Sequence, residues 1–454
     1  MGLAIGQRYE DPLRRDPLGA SSAGQPFPRS TPAERGLLLA TVMLLPLENH
    51  VPNIGGLSII FAMFLVLAAY VVINRMACLD RVWLHPVFVS AFLFLLIAAV
   101  LEYTSPLSMY RDLIRFALAI CGAVMISCLC RDRAALRAGL TGYLCASLWL
   151  SLLLFLTSYG TLSMSAAGNF QDASELRADA FRDNPLQGNL NSMALMCSQG
   201  GVVALAFGLM YGTSKRLLYL GVAGFCFLAT LLTMSRGGAA ITLLACGAIV
   251  FAHGFKHAGK LALVGILSVG LLAALPNVIW SRMSFSTEKQ HGKMESRAWV
   301  YTTALERLPE YIATGVGAGN FWNKWGFEKG FARGAIGRAD VTGAHNSVIQ
   351  ITIYWGACGL AMFLLLAWRA YRTLPRQCGQ DELSLALMAI LVTLGAWLLQ
   401  SHNFYDKSFA LGLGLLVDAR QWIWPGGVVA APVESARFSP LGRQETSRRP
   451  MTYR

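Results

Sequence analysis

Apolar runs about as long as a bilayer crossing alternate with short polar breaks along most of this chain. A helix needs ~20 apolar residues to cross the hydrocarbon core, and about twelve such runs occur between positions 36 and 424. We place them at 36–50, 56–74, 86–103, 111–130, 138–158, 189–211, 216–234, 237–255, 260–280, 346–369, 383–401 and 406–424. The pattern predicts an all-α, polytopic membrane protein with about twelve transmembrane helices.

Composition supports this class. Hydrophobic residues make up 55% of the 454 positions and charged residues 14%, and the mean hydropathy is +0.49. Soluble domains carry ~25% charged residues, so a water-soluble enzyme is excluded. The net charge is +13, but the basic residues are scattered over short loops, a pattern that sets membrane orientation rather than a nucleic-acid surface. We therefore expect membrane lipid around the chain and no nucleic-acid partner.

The same pattern divides the chain into three regions. Residues 1–35 are rich in Pro, Gly, Ser and Arg without an apolar run, which predicts a disordered tail. Residues 36–424 form the membrane domain, and residues 425–454 form a second tail. More than half of the 38 lysines and arginines fall on the side of the first tail. Because cytoplasmic loops hold an excess of these residues, both termini are predicted to be cytoplasmic.

Two long segments are predicted on the other, outer side: residues 159–188 and, between spans nine and ten, residues 281–345. The second contains SRAWVYTTALERLPEYIATG, whose apolar positions approximate a helical stripe. The stripe comprises Trp299, Val300, Leu305, Leu308, Tyr311 and Ile312, opposite Arg297, Glu306, Arg307 and Glu310. This pattern fits a helix on the bilayer surface and equally a small helix that caps the bundle.

Arg236 lies in TMSRGGAA, a short polar break between two apolar runs. A guanidinium at membrane depth usually faces a cavity, the bundle interior or a headgroup. Gly237 and Gly238 would let backbone N–H groups approach an anion at the start of the next helix. Phosphate binding by Arg236 and an interfacial, snorkelling Arg236 both remain open at this point.

A histidine marks the start of the tenth span, in GAHNSVIQITIYWGACG. The neutral imidazole of His345 suits a general base for a sugar hydroxyl, since its ordinary pKa is ~6.5, and Asn346 would orient the imidazole or a sugar. A cap of the helix or an interfacial residue is the structural alternative for His345.

Four further arginines make the predicted outer side cationic: Arg297, Arg182, Arg111 and Arg115. Diphosphate fits such a surface, because guanidinium offers planar paired donors to phosphate oxygens. The alternative is ion pairing with a nearby carboxylate, namely Asp179, Asp183, Asp112 or Glu102, and we favour it for Arg111 and Arg115.

Several familiar sites are absent from the sequence. The outer segments contain no D-x-D pair, which argues against a carboxylate-held metal, and the chain has no H-E-x-x-H or P-loop motif. The glycines of TGVGAGNF are interpreted as a tight turn. The ten cysteines lie in or near apolar runs and indicate neither a disulfide framework nor a metal site.

Taken in order, these motifs resemble the O-antigen ligase and polymerase superfamily: SRGG, then ESRAWVYTTALERLPEYIATGVGAGNF, then GAHNSVIQITIYWGACG. His345 and Asn346, followed after nine residues by Gly356 and then by Gly359, resemble the ligases' H-N-x9-G-x-x-G pattern. Arg182 with Leu186 resembles an R-x3-L pattern. The likeness extends over most of residues 36–424.

The resemblance implies a Gram-negative inner-membrane glycosyltransferase, similar in fold to multi-span enzymes with lipid-linked donors. It would transfer O-polysaccharide from undecaprenyl diphosphate to lipid A-core at the periplasmic face, without metal or cofactor. The family's functional histidine falls on His345 and its two functional arginines on Arg236 and Arg297. Polymerases of the same superfamily are the closest competing prediction, and a twelve-span flippase for lipid-linked sugars is the competitor from another class.

Overall fold

The structure is a computed structural model that describes residues 29–44, 53–54, 57–166, 190–253, 297–333, 340–341, 343–374, 379, 381–401, 404–405 and 407–417. The helices are α1 (Pro32–Leu44), α2 (Ile59–Trp83), α3 (Pro86–Tyr103), α4 (Arg111–Leu129), α5 (Arg133–Ala166), α6 (Leu190–Met210), α7 (Thr213–Leu232), α8 (Arg236–His253), α9 (Arg297–Glu306), α10 (Leu308–Tyr311), α11 (Ala318–Asn320), α12 (Gly326–Glu328), α13 (Ser347–Arg372), α14 (Glu382–Leu398) and α15 (Lys407–Val417). A π-helical turn, Phe321–Trp325, joins α11 to α12.

Two short antiparallel pairs complete the described elements. Strand β1 (Asn53–Ile54) pairs with β2 (Leu57–Ser58), and β3 (Ala332–Arg333) pairs with β4 (Asp340–Val341). In the first pair Asn53 lies opposite Ser58, and in the second Ala332 lies opposite Val341. The all-helical membrane architecture expected from the sequence is therefore confirmed, apart from these two-residue strands.

Seven described helices are long and apolar enough to cross a membrane: α3 to α8 and α13. An eighth is obtained if α2 is one span, although it bends by 102° between Asn74 and Met76. Helices α14 and α15 are apolar but shorter. The twelve-span count is thus supported only in part, and the predicted span 260–280 lies outside the described residues. Helix α5 continues to Ala166, into the segment predicted as a loop from residue 159.

Contacts between helix termini divide the bundle into two ends. At one end the Nη1 of Arg369 donates to the carbonyl of Pro86 (2.9 Å), and at the other the hydroxyl of Ser347 donates to the carbonyl of Ser401 (2.6 Å). We call the end with Arg369 and Pro86 the Glu34 end, after a residue in the first turn of α1. We call the end with Ser347 and Ser401 the His345 end. Successive helices run between them in alternating directions, as the predicted topology requires.

Ion pairs fasten the Glu34 end. Glu34 is fully buried and accepts hydrogen bonds from Arg75 Nε (2.5 Å) and from Arg131 Nη2 (2.8 Å). Arg75 is the residue at which α2 bends. Arg133 pairs with Asp381 and Arg137 with Glu382, which joins the start of α5 to the start of α14.

Helix α6 lies at the centre of the bundle, and all its residues from Met193 to Leu209 are buried. It packs against α5, α7, α8 and α14. Hydroxyl groups bond across these contacts: Ser147 Oγ donates to the carbonyl of Met196 (2.7 Å), and Thr242 Oγ1 donates to Ser198 Oγ (2.8 Å). Side-chain hydrogen bonds of this kind stabilise helix pairs inside membranes.

Helix α13 is broken about a third of the way along its length. The backbone leaves the helical region at Trp355 (φ −132°, ψ 18°) and at Gly356 (φ 60°, ψ −158°), a combination that glycine adopts readily and other residues do not. The break separates a first half, residues 347–354, from a second half, residues 357–372. The first glycine of the H-N-x9-G-x-x-G pattern therefore has a backbone role that its sequence position alone did not indicate.

Residues 312–317 satisfy the backbone groups that the break leaves open. The N–H of Val316 donates to the carbonyl of Ile353 (2.8 Å), and the N–H of Gly317 to that of Tyr354 (2.9 Å). In return the N–H of Ala357 donates to the carbonyl of Ile312 (2.7 Å). The TGVGAGNF turn, with positive φ at Gly315 and Gly317, is thus confirmed as a turn and is docked on the broken helix.

The predicted helical stripe of the long segment is only partly correct. Val300 and Tyr311 are buried, but Leu305 is 67% exposed and Ile312 37% exposed. The helix ends at Glu306, because Pro309 lacks the N–H that would continue the ladder, and α10 restarts with a different phase. Burial raises the pKa of Tyr311 to about 12, and its hydroxyl remains a donor to the carbonyl of Ala304 (2.8 Å). One face of α9 and α10 thus packs on the bundle core.

A substitution at Gly356 tests the break. An ideal Cβ there would lie 2.5 Å from the carbonyl oxygen of Ala313, and the positive φ adds strain of about 1–3 kcal/mol. We expect Gly356→Ala to lower the thermal unfolding temperature of the purified protein by several degrees. Gly395→Ala on α14 is the matched control, since a Cβ there meets nothing within 4 Å. Equal unfolding temperatures for the two variants would contradict this assignment.

Candidate functional site

Arg236 is the first residue of α8, directly after the tight turn that follows α7. Ser235 caps the helix, because its Oγ accepts the N–H of Gly238 (3.1 Å) and donates to Asn191 Oδ1 of α6 (2.9 Å). Met234 in the same turn has a left-handed backbone (φ 50°), which is uncommon for a non-glycine residue. The predicted position of Arg236, at a break between two spans, is confirmed.

Gln400, at the end of α14, lies directly against this break. Its Nε2 donates to the carbonyl of Gly237 (3.2 Å), and an ideal Cβ on Gly237 would lie 1.8 Å from its Oε1. The glycines were expected to let an anion approach the backbone. Instead Gly237 accommodates Gln400, and Gly238 packs on Ala194 and has its N–H capped by Ser235.

His345 lies one residue before the cap of α13. The capping residue is Asn346, whose Oδ1 accepts the N–H groups of Val348 (2.9 Å) and Ile349 (3.2 Å). His345 itself has a left-handed backbone (φ 51°) and is half-buried. The structure therefore assigns the capping role to Asn346, and His345 is held in a strained conformation of the kind that collects at functional sites.

Three further contacts fix the backbone around His345. Gln350 Oε1 accepts the N–H of Ala344 (2.6 Å), Ser347 Oγ donates to the carbonyl of Ser401 (2.6 Å), and the hydroxyl of Tyr301 donates to the carbonyl of His345 (3.4 Å). Ser347 and Gln350 are fully buried. The imidazole is therefore carried by a backbone that is anchored on both sides.

The end of α14 brings Arg236 and His345 to one place. Gln400 and Ser401 are adjacent residues, of which the first contacts Gly237 and the second contacts Ser347. Arg236 precedes Gly237 and His345 lies two residues before Ser347, so both lie beside the same turn.

Arg297 reaches the same end through α9. It begins that helix, and Tyr301, which contacts the carbonyl of His345, follows four residues later. Residues four apart lie on the same face of a helix. Arg297 therefore lies one helical turn before the residue of α9 that contacts the carbonyl of His345.

The remaining predicted arginines are less well defined. Arg111, 57% exposed, is 3.6 Å from Asp112, a separation that contributes little at a surface. The guanidinium carbon of Arg115 lies 5.6 Å above the ring of Tyr405, which lies in the α14–α15 connection that begins at Leu399. Both arginines thus lie at the His345 end, with the ion pairing expected for Arg111. Arg182 lies outside the described residues.

Sequence reasoning missed Gln400, Ser401 and Tyr301. The first two are the last residues of the predicted span 383–401 and open the polar stretch QSHN. That polar stretch at the end of an apolar run could have indicated them. Among the described residues no group of three or more His, Cys, Asp or Glu side chains is arranged to hold a metal ion.

The fold and this site define a multi-pass helical membrane protein with arginines and a histidine gathered at one end of the bundle. Residues 221–364 match the family model described as O-antigen ligase, which confirms the resemblance to the O-antigen ligase superfamily. The matched segment contains Arg236, Arg297, His345 and the α13 break at Gly356. No curated protein matches the chain.

Proposed function

We propose that this protein is an O-antigen ligase that transfers O-polysaccharide from undecaprenyl diphosphate to a hydroxyl of the outer sugar of lipid A-core. The observation that carries the proposal is that Gly237, next to Arg236, and Ser347, two residues after His345, contact the adjacent residues Gln400 and Ser401. The family match over residues 221–364 supports the class of reaction.

Arg236 and Arg297 hold the donor diphosphate in this proposal. A guanidinium binds phosphate oxygens through two parallel donors, and charge on the diphosphate grows as its bond to the sugar breaks. Donors fixed in advance around that charge lower the barrier. Arg111 and Arg115 add positive charge at the same end of the bundle. Arg182, which lies outside the described residues, is proposed as a further donor contact because of its R-x3-L resemblance, and the reaction needs neither metal nor cofactor.

His345 is the general base. Its imidazole takes the proton of the acceptor hydroxyl as that oxygen bonds to the anomeric carbon and the bond from that carbon to the diphosphate oxygen breaks. Proton transfer of this kind contributes ~10²–10⁴-fold, and direct displacement inverts the anomeric centre. Asn346, predicted as a substrate contact, supports the base instead by capping the half-helix that begins beside it.

The membrane orientation follows the distribution of positive charge. Arg75, Arg131, Arg133 and Arg137 all lie at the Glu34 end, as the excess of basic residues on the cytoplasmic side requires. The His345 end then faces the periplasm of the inner membrane, where the lipid-linked donor and lipid A-core meet, and both termini are cytoplasmic.

A reconstituted assay tests the proposal. Purified protein, lipid-linked O-polysaccharide and lipid A-core should give laddered lipopolysaccharide, undiminished by EDTA. Activity that EDTA abolishes and Mg²⁺ restores would contradict the metal-independent mechanism. Growth of the donor chain without lipid A-core would indicate a polymerase, and transbilayer movement of donor without ligation would indicate a flippase.

His345→Asn separates chemistry from backbone conformation. Asn tolerates the left-handed backbone of this position better than most residues, so a purely structural histidine should be replaced without loss. We expect the variant to fold, to bind donor and to lose ligation by at least ~100-fold. The wild-type rate should fall at acid pH, because a protonated imidazole cannot accept the proton of the acceptor hydroxyl.

His85→Asn is the matched control for that variant. His85 caps α3 at the Glu34 end, where its Nδ1 accepts the N–H of Val87 (3.3 Å), and burial lowers its pKa to about 4. It is therefore neutral at pH 7, and Asn is among the better N-caps. Ligation should be unchanged. Near-normal ligation by His345→Asn would contradict the proposed mechanism.

Arg236→Lys tests geometry at constant charge. Lysine keeps the charge but loses the planar pair of donors, so we expect a fall of ~10-fold or more in the ligation rate with normal folding. Arg133→Lys, at the surface pair with Asp381, is the control and should retain full activity. Full activity of Arg236→Lys would favour an interfacial arginine without contact to the donor.

A further inference from the structure

Glu102 is a fully buried carboxylate at the His345 end that the mechanism above does not use. It lies in the last turn of α3, with no exposed surface. Burying a carboxylate is costly unless its oxygens are hydrogen-bonded. Its presence in the bundle therefore calls for a compensating interaction.

Four N–H donors converge on this carboxylate. Oε1 accepts from the backbone N–H of Met109 (2.8 Å) and Gly319 (3.0 Å). Oε2 accepts from the backbone N–H of Ala318 (2.7 Å) and from the indole Nε1 of Trp355 (3.2 Å). A carboxylate can accept hydrogen bonds on both oxygens, and each oxygen of Glu102 accepts two.

The four donors belong to three separate parts of the chain. Met109 lies in the connection between α3 and α4, Ala318 and Gly319 begin α11, and Trp355 lies at the break of α13. Since these parts are up to 253 residues from Glu102 in sequence, the carboxylate joins elements that local structure does not join.

Trp355 connects this cluster to His345. The first half of α13 spans only about two turns, with His345 and Asn346 at its start and Trp355 at its end. The indole is fully buried and packs edge-on against Phe94 (5.5 Å between ring centroids) and Phe404 (5.5 Å). A shift of Trp355 would therefore tilt the short half-helix that carries the proposed base.

We infer that Glu102 is a positioning residue, which sets the orientation of the first half of α13 and thereby places His345 against the reacting hydroxyl. The inference rests on the proposed function for its effect on ligation. Glu102 touches no reacting atom, so its replacement should slow the chemical step and leave donor binding by the arginines intact.

Glu102→Gln is the direct test, because the amide keeps the shape but turns one oxygen into an NH₂ group that faces two N–H donors. Glu34→Gln is the matched control. Glu34 is equally buried and also accepts hydrogen bonds on both oxygens, from Thr31 and from its ion-pair partners Arg75 and Arg131, but it lies at the opposite end of the bundle. Both substitutions remove one buried carboxylate, so a general loss of stability affects both.

Steady-state ligation by the purified full-length protein should show a fall in kcat of ~10-fold or more for Glu102→Gln, with the KM for donor within about twofold of wild type. Glu34→Gln should keep its kcat within about twofold. Trp355→Phe, which removes one donor and keeps an aromatic ring, should show the same pattern to a smaller degree. A normal kcat for Glu102→Gln, or equal losses in the Glu102 and Glu34 variants, would overturn the inference.

Hydrogen–deuterium exchange separates this inference from the proposed function. In Glu102→Gln, amides of residues 316–319 and 347–357 should exchange faster than in wild type, whereas Glu34→Gln should leave them unchanged. If the wild-type protein fails to ligate but Glu102→Gln still exchanges faster than wild type in these segments, the proposed function fails and the structural part of the inference stands. Unchanged exchange in Glu102→Gln would overturn the inference whatever the activity.

Discussion

The hydrogen-bonding requirement of a broken helix is the constraint on which the rest of this structure depends. Inside a bilayer every backbone N–H and C=O group must find a partner within the protein. The break in α13 at Trp355 and Gly356 leaves such groups open, and residues 312–317 satisfy them through the bonds of Val316, Gly317 and Ala357. The long segment that precedes α13 is therefore joined to the bundle by backbone hydrogen bonds.

This docking has a consequence for the site. It makes the first half of α13 a short independent piece, anchored at one end by Glu102 and Trp355 and at the other by Ser347 on Ser401. His345 precedes that piece and has a left-handed backbone. The end of α14 then adds Arg236 through Gln400 and Gly237. The proposed base and the arginine proposed to bind phosphate thus lie beside the same turn at the end of α14.

Much of the helical framework could be predicted from the apolar pattern. The third span was expected at 86–103 and is found at Pro86–Tyr103, because a single apolar run between polar flanks determines both ends. The stripe was wrong at Leu305, because the buried face of α9 runs through Val300, Thr303 and Ala304 instead. It was wrong at Ile312 because α10 restarts at Leu308 with a different phase. The break within α13 lies inside one apolar run and produces no change in hydropathy.

The candidate site was only partly predictable. Arg236 and His345 interrupt apolar runs, and such interruptions are visible in sequence. Glu102 and Gln400 lie at the ends of spans, where a polar residue is unremarkable. Apart from Met109, the hydrogen-bond partners of their side chains are at least 163 residues away in the sequence. Their roles depend on tertiary packing, which no local pattern reports.

The most direct test of the central claim is a cryo-electron microscopy structure of the full chain in lipid with an undecaprenyl diphosphate-linked saccharide bound. The account predicts the diphosphate against the guanidinium of Arg236, beside Gln400, with the anomeric carbon of the sugar facing the imidazole of His345. Binding of the diphosphate at the Glu34 end, or with the sugar directed away from His345, would contradict it.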